Sequence, residues 1–236
     1  MKDTRYKSPS RIGLAVVLAF ALMMFSSLAR AGVNVTGMNF VDKIMDQKQV
    51  TKAEGDSVDS MERSVIFVNV IVQAVLAALF IVWMRRCHLN LWDLNARQVR
   101  NPTFACVAAW FIPLVSLVWP YFIMSEIWKA SNPEATDQEQ WKLSKVPPYL
   151  WLWWLFFALY VFGGVFSNML AKAVDKTNPP DLQVLSSFYF VSFLDQLLSV
   201  CAAGLGIIVV QRLTKRQEEK YLILLRAQAD GESEST

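Results

Sequence analysis

Histidine occurs once in these 236 residues, at His88, and cysteine three times, at Cys87, Cys106 and Cys201. One histidine excludes a multi-histidine metal site, a bis-histidine haem and an H-E-x-x-H motif within a single chain. Three widely spaced cysteines with no C-x-x-C among them exclude a disulfide framework and the usual metal spacing. Cys87 and His88 are neighbours, and they read as an interfacial thiol beside a solvated imidazole. Walker-type phosphate loops and G-x-S-x-G elbows are also missing, and no pair of carboxylates sits near the histidine. Catalysis is therefore poorly served: no cofactor, no metal and no enzymatic activity is expected. The formal net charge is only +3, so no nucleic-acid partner is expected either.

What the chain has instead is apolar sequence in blocks. Hydrophobic residues make up 54% and charged residues 18%, and the former concentrate in 12–28, 65–84, 104–124, 151–170 and 188–210. Each block is near the roughly 17–25 residues that a spanning helix needs. The polar stretches between them are too short for a large domain outside a membrane. One membrane domain over 1–236 is expected, with a disordered acidic tail at 227–236. The N-terminus imitates a secretory signal: Lys2, Arg5, Lys7 and Arg11 precede the first block, and Ala29-Arg30-Ala31 follows it. That block is longer than a usual signal core, and Arg30 suits a cleavage point badly. It reads as a retained first span, with cleavage as the alternative.

The third block carries Pro113 and Pro120. A proline in a helix interior removes a donor and clashes with the preceding turn, at a cost of about 3 kcal/mol. Hydrocarbon offers the freed carbonyls no water. Charge placement points the same way. If all five blocks cross, ten Lys and Arg fall on the side of the N-terminus and thirteen opposite, which fits neither orientation. If 104–124 enters and leaves on one side, sixteen of the 23 fall inside with both termini, as the positive-inside bias demands. The fold expected is all-α: four transmembrane helices plus a proline-broken re-entrant or interfacial helical hairpin over 104–131, with five spans as the alternative. Pro120 would open the returning helix. Ile123, Met124, Ile127 and Trp128 share one face of it, and Ser125, Glu126 and Lys129 the other.

A set of short motifs runs through these segments: Trp83-Met84-Arg85-Arg86 followed by Asn90, Trp110-Phe111-Ile112-Pro113, and Trp119-Pro120-Tyr121. Glu126-Ile127-Trp128-Lys129-Ala130-Ser131-Asn132-Pro133, Trp153-Trp154, Arg212-Leu213-Thr214 and Gln217-Glu218 continue it. In this order and spacing the chain resembles the bacterial integral-membrane family known only as domain of unknown function 4328, across nearly its whole length. The resemblance implies a multi-pass protein of the cell inner membrane with an uncleaved first span. Ser116 departs from the family pattern, which often has asparagine between the two prolines. Either side chain can hydrogen-bond a freed carbonyl, so the hairpin expectation stands. The resemblance brings no activity with it.

Asp195 is the one acid well inside a span. A charged aspartate at mid-bilayer costs about 2.5–3.5 kcal/mol on insertion scales, whereas an interhelical hydrogen bond in a membrane averages only about 0.6 kcal/mol. Asn69 and Gln73 are four apart and share a helix face, and Gln73 lies near the depth of Asp195 in the four-span topology. The three form a candidate intramembrane polar site, with Asp195 facing the bundle interior. A structural hydrogen bond between helices is an equally open reading. Arg85, Arg86, Arg97 and Arg100 are placed to meet anionic lipid, although charge bias alone would put them there. Trp151, Trp153, Trp154 and Tyr149 read as an interfacial aromatic belt. Gly163-Gly164, Gly204 and Gly206 read as close-packing points, and the charges of 215–220 as solvated.

The function expected is a non-catalytic scaffold or accessory subunit with both termini cytoplasmic. It would dock lipid, a partner membrane protein or a second copy through its basic face and hairpin. The alternative is a small transporter or channel using Asp195 with Asn69 and Gln73. A lipid-modifying enzyme using Glu126 ranks last, since that carboxylate has no partner.

Overall fold

Long windows of apolar residues become four long helices, because a chain without water must satisfy its backbone internally. They are α1 (Ser10–Met45), α2 (Lys52–Leu89), α5 (Pro148–Val174) and α6 (Leu182–Ser233). Two shorter ones, α3 (Ala105–Ala108) and α4 (Trp119–Ala130), lie between α2 and α5 with 3-10 turns at Val115–Leu117 and Gln140–Leu143. The computed structural model describes residues 6–112, 115–177 and 179–233, the side chains of 231–233 excepted. Among these residues there is no strand, and four helices, α1, α2, α5 and α6, are long and apolar enough to cross a membrane. The chain is thus an all-α protein with four candidate spans. Leu14, Leu18, Leu22 and Phe25 of α1 lie exposed at helical spacing, an arrangement suited to lipid rather than water.

The helices outrun their apolar blocks, and local signals set their ends. Helix α1 closes with Gln47 in the left-handed region (φ 55°). The Gln47 N–H donates to Ile44 O (3.0 Å) and the Lys48 N–H to Lys43 O (3.0 Å), the paired bonds of a Schellman motif. Helix α2 opens on a reciprocal capping box: the Thr51 N–H donates to Glu54 Oε2 (2.9 Å), and the Glu54 N–H to Thr51 Oγ1 (3.3 Å). Asp181 caps α6, its Oδ1 accepting from the N–H of Gln183 (2.9 Å) and of Val184 (3.3 Å). Helix α6 continues to Ser233, through most of the stretch read from sequence as a disordered tail.

The segment 104–124 is not one helix. One turn of α3 ends near Ala109, a 3-10 turn follows, and α4 starts afresh with Pro120 in its first turn, where a missing donor is harmless. The Ser116 N–H bonds Ile112 O (2.9 Å). Pro113 lies outside the described residues. No fifth helix of spanning length is present among the described residues.

The chain clusters into two compact units. The first comprises Met1–Leu18, Ala77–Leu152 and Gly206–Thr236, and the second Ala19–Leu76 and Trp153–Leu205. In the first unit the buried apolar residues include Trp83, Met84, Leu91, Leu94, Ile123, Met124, Ile127 and Leu213. Gly13 sits where a Cβ would come within 2.9 Å of Thr214 Oγ1. In the second unit Val41, Val58 and Tyr189 form a small core. Trp151 is exposed as a belt residue should be, but Trp153 and Trp154 are buried. Gly204 has nothing within 4 Å of an added Cβ, so it is not the close-packing point read from sequence.

Candidate functional site

The first unit is organised by polar side chains that satisfy helix ends. The last four carbonyls of a helix lack intrahelical partners, and in α4 all four find one. Ile127 O accepts from Ser131 N–H (3.0 Å) and Ser131 Oγ (2.7 Å), and Lys129 O from Asn132 N–H (3.1 Å). Helix α6 supplies the rest: Arg216 Nε donates to Trp128 O (3.3 Å) and Lys220 Nζ to Ala130 O (2.8 Å). Between these two, Gln217 Nε2 donates to Ser131 Oγ (3.0 Å) and to Cys87 O at the end of α2 (2.9 Å). Gln217 Oε1 accepts from Asn90 Nδ2 (3.1 Å), which also donates to Lys7 O (3.0 Å). Two cations at a helix C-terminus also complement its dipole. Gln217 and Lys220 are fully buried, which corrects the reading of 215–220 as a solvated run. Arg216 additionally lies 4.8 Å over the Trp128 ring.

A second network fixes the loop before α3. Glu126 accepts from Arg100 N–H (2.6 Å), Asn101 N–H (3.1 Å) and Asn101 Nδ2 (2.6 Å). Asn101 Oδ1 accepts from Trp119 Nε1 (2.7 Å). His88 Nε2 donates to Asn101 O (2.8 Å), so its Nδ1 accepts from the Thr103 hydroxyl (3.2 Å). Glu126 is 8% exposed. It does share a face with Ser125 and Lys129, but the loop donors bury its carboxylate there. Cys87 and His88 are buried, so the imidazole is not solvated as the sequence reading had it. Cys106 is buried as well, and a thiol in apolar surroundings is unreactive.

Between this loop and α4 lies a cleft of about 420 Å³ lined by Arg100, Trp119, Phe122, Lys129, Trp141 and Lys142, with Glu126 at its wall. Three cations face it against one carboxylate already supplied with three donors. Lys142 also pairs with Glu139 (3.3 Å) and donates to Gln98 Oε1 (2.6 Å). Of the four arginines named from sequence, Arg85 and Arg100 are exposed and Arg86 is half-buried. Arg97 stacks on Trp92, 3.4 Å from the ring centroid. The sequence reading does not group Lys129 and Lys142 with those arginines, because only the tertiary fold sets them beside Arg100.

The second unit holds the intramembrane polar residues, each with its own neighbour. Asn69 Nδ2 donates to Ser26 Oγ (3.1 Å) and Gln73 Nε2 to Tyr160 OH (3.1 Å). Ser27 pairs with Ser199 (2.9 Å), and Ser167 with Ser192 (2.5 Å). Asp195 is 5% exposed, as an interior placement requires, but neither Asn69 nor Gln73 bonds it. Its Oδ2 accepts one long bond from Gln196 Nε2 (3.4 Å), and its Oδ1 has no partner.

No curated protein and no solved structure matches this chain. Apart from Trp153 and Trp154, which fall in the second unit, the residues behind the sequence resemblance lie in the first: Trp83 Nε1 bonds Thr214 Oγ1 (3.1 Å), Asn90 and Ser131 meet Gln217, and Glu126 shares Asn101 with Trp119. The model of the family described as Domain of unknown function (DUF4328) matches residues 46–215, so the chain belongs to that family.

Proposed function

We propose that this is a non-catalytic multi-pass protein of the bacterial inner membrane, a scaffold or accessory subunit that docks anionic lipid through a cytoplasmic basic face. The broken segment 104–131 re-enters the membrane from that side, and both termini are cytoplasmic. One observation carries the reading: Arg100, Lys129 and Lys142 face one cleft together with Trp119 and Phe122. Cations beside aromatic surface suit a phosphate-bearing headgroup above acyl chains. Phe104, Phe111, Ile112 and Val118, all exposed, supply apolar surface around the break.

The test is lipid retention. Protein purified in mild detergent should carry anionic phospholipid, and R100E combined with K129E should lose most of it. K172E, at an exposed position on α5, should not. Equal retention in all three would overturn the reading. Topology is checked separately by single cysteines: K142C and D56C should react with an impermeant maleimide from opposite sides of oriented vesicles.

A small transporter is the second reading, favoured by the buried Asp195. Proton or cation flux in proteoliposomes that disappears in D195N would support it, and wild-type vesicles as tight as empty ones would remove it.

A further inference from the structure

Two neighbouring acceptors in the second unit have no donor. Asp195 Oδ1 and Gln196 Oε1 are both buried without a hydrogen-bond partner, on side chains 5% and 0% exposed. Such groups are rare in folded proteins and call for an explanation. The place where Oδ1 lies is built for it. A Cβ added at Gly163 would overlap Asp195 Oδ1, and one at Gly164 would come 3.9 Å from Oδ2. The glycine pair therefore seats the carboxyl group against bare backbone. The ionisable groups whose fields reach it are Arg30 on α1 and Tyr160 on α5. Arg30 does not hydrogen-bond it, and the Tyr160 hydroxyl already accepts from Gln73 of α2. An ionised carboxylate would thus sit deep in an apolar helix bundle with one weak bond. Such a group lowers its cost by taking up a cation or a proton. A metal ion needs several oxygen ligands, and among the described residues no cluster of acidic, cysteine or histidine side chains can hold one.

We propose that Asp195 and Gln196, seated on Gly163 and Gly164, form a proton-binding site in the second unit. The carboxylate takes one proton on Oδ2, and that O–H donates to Gln196 Oε1. The amide makes a half-turn from its present arrangement, in which Nε2 faces Oδ2. No covalent bond other than O–H forms or breaks; Gln196 Oε1 gains a donor with a full O–H bond, and Nε2 gives up its long bond to Oδ2. The site is independent of the lipid cleft and requires no flux.

Infrared difference spectroscopy on protein in proteoliposomes reads the proton directly. At neutral pH the wild type should show a carboxylic-acid carbonyl band that shifts in deuterated buffer and converts to carboxylate as pH rises. D195N should lack it, and D195E should retain it, which guards against a misfolded variant. Three results would overturn the proposal: no acid band that depends on residue 195, an acid band that stays constant across the accessible pH range, or conversion driven by sodium or potassium at fixed pH. The last would assign the site to an alkali cation.

Discussion

Replacing Glu126 by glutamine tests whether one carboxylate holds the loop to α4. It now accepts three hydrogen bonds, two at 2.6 Å and one at 3.1 Å. Glutamine has the same shape but one acceptor oxygen, so its NH2 must confront either Arg100 N–H or the two Asn101 donors. Hydrogen bonds to a charged group are worth about 1.5–3 kcal/mol, and an unpaired buried donor costs about 1–3 kcal/mol. E126Q should therefore lose roughly 2–3 kcal/mol, and E126A, which strands all three donors, roughly 3–5 kcal/mol. Reversible unfolding in detergent, followed by tryptophan fluorescence, measures the loss, because Trp119 is tied to the same Asn101. A double-mutant cycle with N101A supplies the sharper test. Coupled partners deviate from additivity by about 0.5–3 kcal/mol, and independent ones by less. Additivity within about 0.3 kcal/mol, or an E126Q indistinguishable from wild type, would refute the network.

Lys220→Met should cost about 1–3 kcal/mol by stranding Ala130 O and expose the end of α4 to proteolysis, whereas the same change at exposed Lys215 should be silent; limited digestion reads both. Gly163→Ala should destabilise by about 1–3 kcal/mol through overpacking against Asp195, while Gly204→Ala, in open space, should be neutral or gain about 0.5–1 kcal/mol; thermal shift in detergent ranks them. Gln47→Gly should stabilise by about 1 kcal/mol, since it relieves a left-handed non-glycine residue. Cys106 should resist thiol reagents at pH 8, because its thiol is buried. Exposed Cys201 should react with a lipid-soluble maleimide, and mass spectrometry distinguishes the two.

The sequence alone determined the fold class, because helices in hydrocarbon follow from length and composition without reference to partners. It also located the break at 104–124, since proline acts locally: Pro120 opens α4 wherever that helix packs. The T-x-x-E box at Thr51 and the cap at Asp181 were legible by the same local rules, although neither was used to place a helix end. What periodicity could not assign was the role of a polar residue. Glu126 and Lys220 look like solvated charges along their own helices, and they are buried because distant segments bring donors and acceptors to them: the loop at Arg100–Asn101 for one, the end of α4 for the other. Gln73 and Asp195 share a depth in the sequence reading, with Asn69 on the same face as Gln73, yet depth does not fix azimuth. Asn69 turns to Ser26 and Gln73 to Tyr160, which leaves Asp195 to Gln196 and the glycines of α5. Only packing chooses which neighbour a side chain meets, because a helix of given period can be rotated about its axis without changing its sequence.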